Sequence, residues 1–216
     1  MESPLYEIAP ADLRVIETLR YDPGLETDGG FCRLPLHLDR AGRTCARLRI
    51  AFDRAACERA LSAAVAGTPT RCRLAIDRAG GLEVTARALE AAPALWRVAV
   101  SATRLASDDP WLAVKTTQRR LYDAARAGLP EGVDEVIFLN ESGKVCEGTI
   151  TTIFARLGGR LVTPPLSCGL LPGILRQEML ETGAAQERAF GLDELRQAEK
   201  FFVGNSLRGL IPAVLV

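Results

Sequence analysis

Lysine is nearly missing from this 216-residue chain: of its 27 basic side chains only Lys115, Lys144 and Lys200 are lysines, and the rest are arginines. Arginine stays charged and is a poor nucleophile, whereas a lysine can lose its proton and form a Schiff base. Each retained lysine therefore raises the question of what arginine could not do there. Excess charge is also missing, since 27 acids balance the 27 bases. That leaves no electrostatic footprint for nucleic acid or for an anionic membrane surface, and favours a small-molecule partner. No apolar run approaches the roughly 20 residues needed to span a bilayer. The start MESPLYEIAPADLR lacks the basic and apolar regions of a secretory signal, so a cytoplasmic protein is expected. The six cysteines never form CxxC and have a single histidine for company, which argues against a zinc site or a disulfide framework; they read as free thiols. Also absent are GxGxxG, a P-loop, GxSxG and HExxH, which removes the common nucleotide, hydrolase and metalloprotease signatures.

What is present is a chain that is 48% hydrophobic and long enough for one domain or two small ones. LRVIETLR at 13–20 alternates like a half-buried strand, and the turn-rich YDPGLETDGG leads to an expected second short strand at 31–34, forming a hairpin. Helical spacing starts at Pro35, and Asp53 is a natural N-cap for a helix over 54–65. Strands follow at 71–76, 82–88 and 96–101. SDDPWL at 107–112 breaks the pattern and is the expected linker between a small N-terminal α+β domain (1–106) and a larger C-terminal one (113–216). The second half reads as a helix at 118–127, a strand at 134–140, a run VCEGTITTIFA after the turn ESGK, a return strand LVT, a helix at 174–182, and the final strands KFFVGN and GLIPAVLV. Strict βαβ alternation is lacking, so the fold class is α+β and not a doubly wound sheet.

Several positions could carry chemistry. Lys115, in LAVKTTQRR, follows apolar residues that could desolvate its amine; a surface lysine is the plainer alternative. Glu147 falls on a strand that otherwise buries its neighbours and would need a cationic partner there, the alternative being an edge carboxylate facing water. Gly173, Ile174 and Leu175 follow Pro172 at a helix start, where free N–H groups and the dipole suit a phosphate. GNSLRG at 204–209 is a turn whose hydroxyl, amide and guanidinium groups could hold anionic oxygens, or simply a hairpin turn. His37 and Arg40 share one helix face three residues apart; Arg40 could take a phosphate, and His37 reads as a packing or capping residue.

Taken in order, ETLRYDPG, HLDR (37–40), VKTTQRRLYDAA (114–125), LNESGKVCEGTITTIF (139–154), TPPLSCGLLPGILR (163–176) and GNSLRG (204–209) resemble the fold-type IV pyridoxal phosphate enzymes, the class-IV aminotransferase family that includes aminodeoxychorismate lyase. The resemblance covers most of the chain. It implies a two-domain architecture like that of the D-amino acid aminotransferases, pyridoxal 5'-phosphate as cofactor, and a homodimer. It further implies that Lys115 forms the Schiff base and shuttles the proton, and that Glu147 pairs with the pyridine nitrogen. Arg40 matches the phosphate-binding arginine, Leu171 the side chain against the ring, Ile174 and Leu175 the amide donors, and Asn205 and Ser206 the turn completing the phosphate cup. TPPLSCGLLPGILR and NSLRG look most like the lyase branch, with Arg119 and Arg208 as carboxylate anchors for its dianionic substrate. Thr152 stands where many members have Asn, and Arg120 where some aminotransferases have Tyr, so a branched-chain substrate fits less well. The expected activity is lysis of 4-amino-4-deoxychorismate to 4-aminobenzoate and pyruvate. The alternatives are an aminotransferase for D- or branched-chain L-amino acids, and a non-catalytic protein that keeps the scaffold, the last motivated by the short first domain.

Overall fold

The computed structural model describes residues 5–91 and 93–216. They divide into two compact units, one within Met1–Ala91 plus Val114–Gln118, the other within Ala92–Ala113 plus Arg119–Val216.

The first unit holds the short helix α1 (Leu5–Ile8), strand β1 (Val15–Tyr21), helices α2 (Leu34–Arg47) and α3 (Arg54–Ala63), and strands β2 (Thr70–Ile76) and β3 (Leu82–Ala88). The strands form an antiparallel sheet in the order β1-β2-β3. Alternation along β1 and β2 puts Val15, Glu17, Leu19, Cys72, Leu74 and Ile76 on the face shared with the buried side of α2 and α3. Asp53 caps α3, its carboxylate accepting from the Ala56 N–H at 2.9 Å. The strand expected at 31–34 is not formed. Phe31 makes one isolated bridge to Tyr21, Arg33 takes a left-handed conformation, and Pro35 in the first turn starts α2 at once.

Val114–Gln118, expected with the second half, lies along β1 in the first unit. The Ile16 N–H donates to the Lys115 carbonyl at 3.0 Å and the Thr117 N–H to the Arg14 carbonyl at 2.9 Å. These bonds flank an antiparallel bridge between Val15 and Thr116, so Lys115 stands opposite Ile16.

The second unit contains β4 (Trp96–Leu105), α4 (Arg120–Ala127), β5 (Glu135–Asn140), β6 (Val145–Gly148), β7 (Thr152–Leu157), β8 (Arg160–Thr163), α5 (Ile174–Glu181), β9 (Gln186–Glu187), α6 (Leu192–Arg196), β10 (Lys200–Asn205) and β11 (Gly209–Leu215). Its sheet runs β10-β11-β4-β5-β6-β7-β8-β9, and β10 also pairs with β7, so six strands close into a ring. Within the ring, closure removes the free edges that an open sheet would leave, and β8 and β9 extend from β7. Every residue of β5 is buried, because Ile137 and Leu139 enter one apolar cluster with Val98, Ile153 and Val203, while Val136 and Phe138 enter another against Tyr122 and Ala125 of α4. The run VCEGTITTIFA is two strands and not one. It breaks at 149–151, and Glu147 pairs back onto Thr152.

Candidate active site

Glu17 sits on the core-facing side of β1 between Val15 and Leu19, and α2 brings two partners to it. Arg40 donates twice to its carboxylate, Nε to Oε1 at 2.8 Å and Nη2 to Oε2 at 2.6 Å, and His37 Nδ1 lies 2.7 Å from Oε2. All three are buried. Burial raises the Glu17 pKa, but the attraction and hydrogen bonds of Arg40, with help from His37, outweigh it and hold the carboxyl down at about 2. Burial pushes the His37 pKa below its ordinary value against the pull of Glu17, with Arg40 and Lys115 adding smaller repulsions. A neutral imidazole donating through Nδ1 follows. The sequence places His37 and Arg40 on one helix face correctly, but gives Glu17 no role. Its signal was there: an acid at the apolar parity of a strand.

Glu147 lies on β6, 7% exposed, with its carboxylate fixed from two sides. The Tyr122 hydroxyl of α4 donates to Oε1 at 2.5 Å, and the Leu171 N–H donates to Oε2 at 3.1 Å. Burial and the adjacent carboxylate push the Tyr122 hydroxyl far above its usual range, so it remains a donor. The Glu147 carboxylate is thus held by one hydroxyl and one backbone donor.

A second carboxylate, absent from the sequence reading, holds the turn after Glu147. Glu135 is fully buried; its Oε1 accepts from the Thr149 N–H and hydroxyl, and its Oε2 from the Ile150 N–H and the Thr151 hydroxyl. Gly148 precedes this turn, where a Cβ would collide with Thr151 and Glu135.

α5 begins at Ile174 behind Gly173, which offers no side-chain cap. The first N–H groups of a helix have no intrahelical acceptor, and an anion is a suitable partner for them. β10 approaches this end closely, since a Cβ on Gly204 would meet Leu175 Cδ2 at 2.8 Å. Asn205 closes the following turn: its Oδ1 accepts from the Leu207 and Arg208 N–H groups, and its Nδ2 donates to the Ile150 carbonyl at 3.2 Å. Ser206 is buried. In the second unit Glu147 lies on β6, Asn205 ends β10, Ile174 and Leu175 open α5, and Leu171 and Ser206 lie in the segments before α5 and after β10, while Arg40 and Lys115 belong to the first unit. Arg119 holds Asp123 at 2.7 Å and the Thr149 carbonyl at 3.1 Å, and the Arg208 guanidinium lies 5.9 Å from the Trp96 ring centre.

A family model, "Amino-transferase class IV", matches residues 14–216. The chain belongs to the class IV aminotransferase family. This family is pyridoxal phosphate-dependent and comprises aminotransferases and lyases. The fold agrees with a presumed amino-acid aminotransferase from Mesorhizobium loti, 44% identical with a TM-score of 0.89, over 95% of this chain and 100% of that one. It also agrees with 4-amino-4-deoxychorismate lyase from Pseudomonas aeruginosa, 26% identical with a TM-score of 0.79, over 94% of this chain and 82% of that one. A probable branched-chain-amino-acid aminotransferase from Thermotoga maritima is 32% identical over 105 residues, 46% of this chain and 38% of the relative. The chain thus aligns with well under two thirds of such curated relatives. Among the described residues no cluster of His, Cys, Asp and Glu suits a metal ion, and no helix is long and apolar enough to cross a membrane.

Proposed function

We propose that this class IV aminotransferase family member uses pyridoxal 5'-phosphate to process the amino group of a small anionic substrate, and that its reaction is the conversion of 4-amino-4-deoxychorismate to 4-aminobenzoate and pyruvate. The observation that carries the reading is the buried Glu147 carboxylate, oriented by Tyr122 and the Leu171 N–H. A fixed anion there suits a protonated pyridine nitrogen.

When bound, the cofactor supplies an aldehyde that joins amines and a ring that withdraws electrons from them. Lys115 provides the amine for that aldehyde. With its amine free, Lys115 would take the C–H proton beside the amino group of the substrate ring as the enolpyruvyl C–O bond breaks, and protonation of the released methylene carbon would complete pyruvate. Glu147 would pair with the protonated pyridine nitrogen. In the second unit the Ile174 and Leu175 N–H groups, Asn205 and Ser206 would hold the phosphate and Leu171 would border the ring; in the first, Arg40 is the phosphate contact that the resemblance implies. In this reading Glu17 fixes the Arg40 guanidinium before any ligand arrives, which lowers the entropy lost on binding.

The wording of TPPLSCGLLPGILR and NSLRG supports the lyase. A second reading, transamination of an amino acid, is favoured by the 44% identity with the Mesorhizobium protein over its whole length. Purified protein mixed with the cofactor should turn yellow, and Lys115→Ala should abolish that colour. Release of 4-aminobenzoate and pyruvate selects the lyase. Conversion of the cofactor to its amine form by an amino acid, with keto-acid release, selects the aminotransferase, and a colourless wild type rejects both in favour of a non-catalytic scaffold. A homodimer is also proposed, to be checked by light scattering.

A further inference from the structure

The face of β1–β2–β3 turned away from α2 and α3 carries a row of arginines. Arg20 stands opposite Arg71, and Arg71 opposite Arg87, so three guanidiniums project side by side from three adjacent strands. One step along, Arg73 lies between Thr18 and Thr85 on the same face. Like charges directly opposite across a sheet cost stability. Among the described residues Arg71, Arg73 and Arg87 make no salt bridge, and only Arg20 is paired, through Asp22 at 2.7 Å. The Arg20 Nε is buried with no hydrogen-bond partner. The fold thus carries a repulsive row offset, among the described residues, only at Arg20 by Asp22.

The alternation about the Val15–Thr116 bridge assigns Lys115 to the Ile16 side, which is this face. Lys115 stands opposite Ile16, and Ile16 continues into Ala75 and Glu83, the next row beyond Thr18–Arg73–Thr85. Val114 and Thr116, of opposite parity, are buried. At about 4.8 Å between strands and ~3.4 Å per residue, the Arg73 Cα is roughly 12 Å and the Arg20 Cα roughly 14 Å from the Lys115 Cα. Flexible stems on both sides bring the charged ends closer, so a molecule about 5–8 Å long spans from the amine to the guanidiniums. In an α-amino acid the nitrogen is only about 2.5 Å from the carboxylate carbon.

We infer that this arginine face recognises a carboxylate held several bonds from the reacting amine, so the favoured substrate class is a ring-borne or otherwise distal amino carboxylate and not an α-amino monocarboxylate. The inference rests on the reading of Lys115 as the reactive amine, and deepens it by moving substrate recognition to Arg20, Arg71, Arg73 and Arg87.

Calorimetric titration of the holoprotein with 4-aminobenzoate and with L-leucine tests it. Arg71→Gln/Arg73→Gln should weaken 4-aminobenzoate binding at least tenfold and L-leucine binding less than twofold, with cofactor absorbance unchanged. Arg71→Lys/Arg73→Lys should restore part of the affinity. Removing two repelling charges should leave the melting temperature equal or higher, so loss of fold does not confound the result. Equal losses for both probes, or no loss for either, would overturn the inference. Tighter binding of L-leucine than of 4-aminobenzoate by the wild type would overturn it too. Calorimetry needs no colour: a wild type that fails to take up cofactor refutes the Lys115 reading separately, while the two probes still decide whether the arginines discriminate.

Discussion

Glu17→Gln is the most informative single change in the first unit. The carboxylate lies 1% exposed between Arg40 and His37, and its pKa is held at about 2 against 4.5 for the free side chain. At ~1.4 kcal/mol per pH unit, that difference corresponds to about 3 kcal/mol of folding stability at neutral pH. The depressed value fixes the sign. The contribution is fully present above pH ~4.5, about 2 kcal/mol of it is gone by pH 3, and all is lost below the folded pKa. In the variant an amide NH2 faces the donors at Oε2, and Arg40 keeps a buried charge without its carboxylate, which costs about 3–5 kcal/mol. Urea unfolding at pH 7 should show that loss. The acid limb between pH 4.5 and 3 should also flatten, measured in a His37→Asn background, because the depressed imidazole acts with the same sign starting from about pH 6.5. Equal urea midpoints at pH 7 and parallel acid limbs would refute the argument.

Glu135→Ala leaves the Thr149 and Ile150 N–H groups and two hydroxyls without their buried acceptor, at a cost of about 1–3 kcal/mol per unsatisfied group. Thermal melting should drop steeply, with Glu135→Gln intermediate. Tyr122→Phe removes one of the two donors fixing Glu147, so the apoprotein should lose about 1.5–3 kcal/mol in chemical denaturation. Cofactor affinity should also fall, read from the visible absorbance. Burial pushes the Cys45 thiol up to about 12 and those of Cys57 and Cys72 to about 11, so at pH 8 the folded protein should label slowly at these sites with a thiol reagent. Cys32 is the least buried of the six and should react first, the others only on denaturation.

Much of the architecture was written in local signals. The alternation over 13–20, the Asp53 cap, the helix spacing after Pro35 and the turn ESGK each specify an element through its own backbone and side-chain preferences. The order of the motifs carried the family and its cofactor. What local pattern did not carry was pairing at a distance. Phe31 joins Tyr21 in a lone bridge before α2 begins, and Val114–Gln118 crosses to β1 although only its sequence neighbours were legible. The same limit hid Glu17, Tyr122 and Glu135, whose roles depend on partners 20, 25 and 14 residues away. By itself the sequence determined most of the elements, the balance of charge and the lysine worth asking about. Tertiary structure decided which strands lie side by side, and hence which carboxylates are buried with donors and which arginines share a face with Lys115. The reason is physical: capping and periodicity act within a turn or two of chain, whereas hydrogen-bond satisfaction in a buried site is settled by whatever the fold brings within 3 Å.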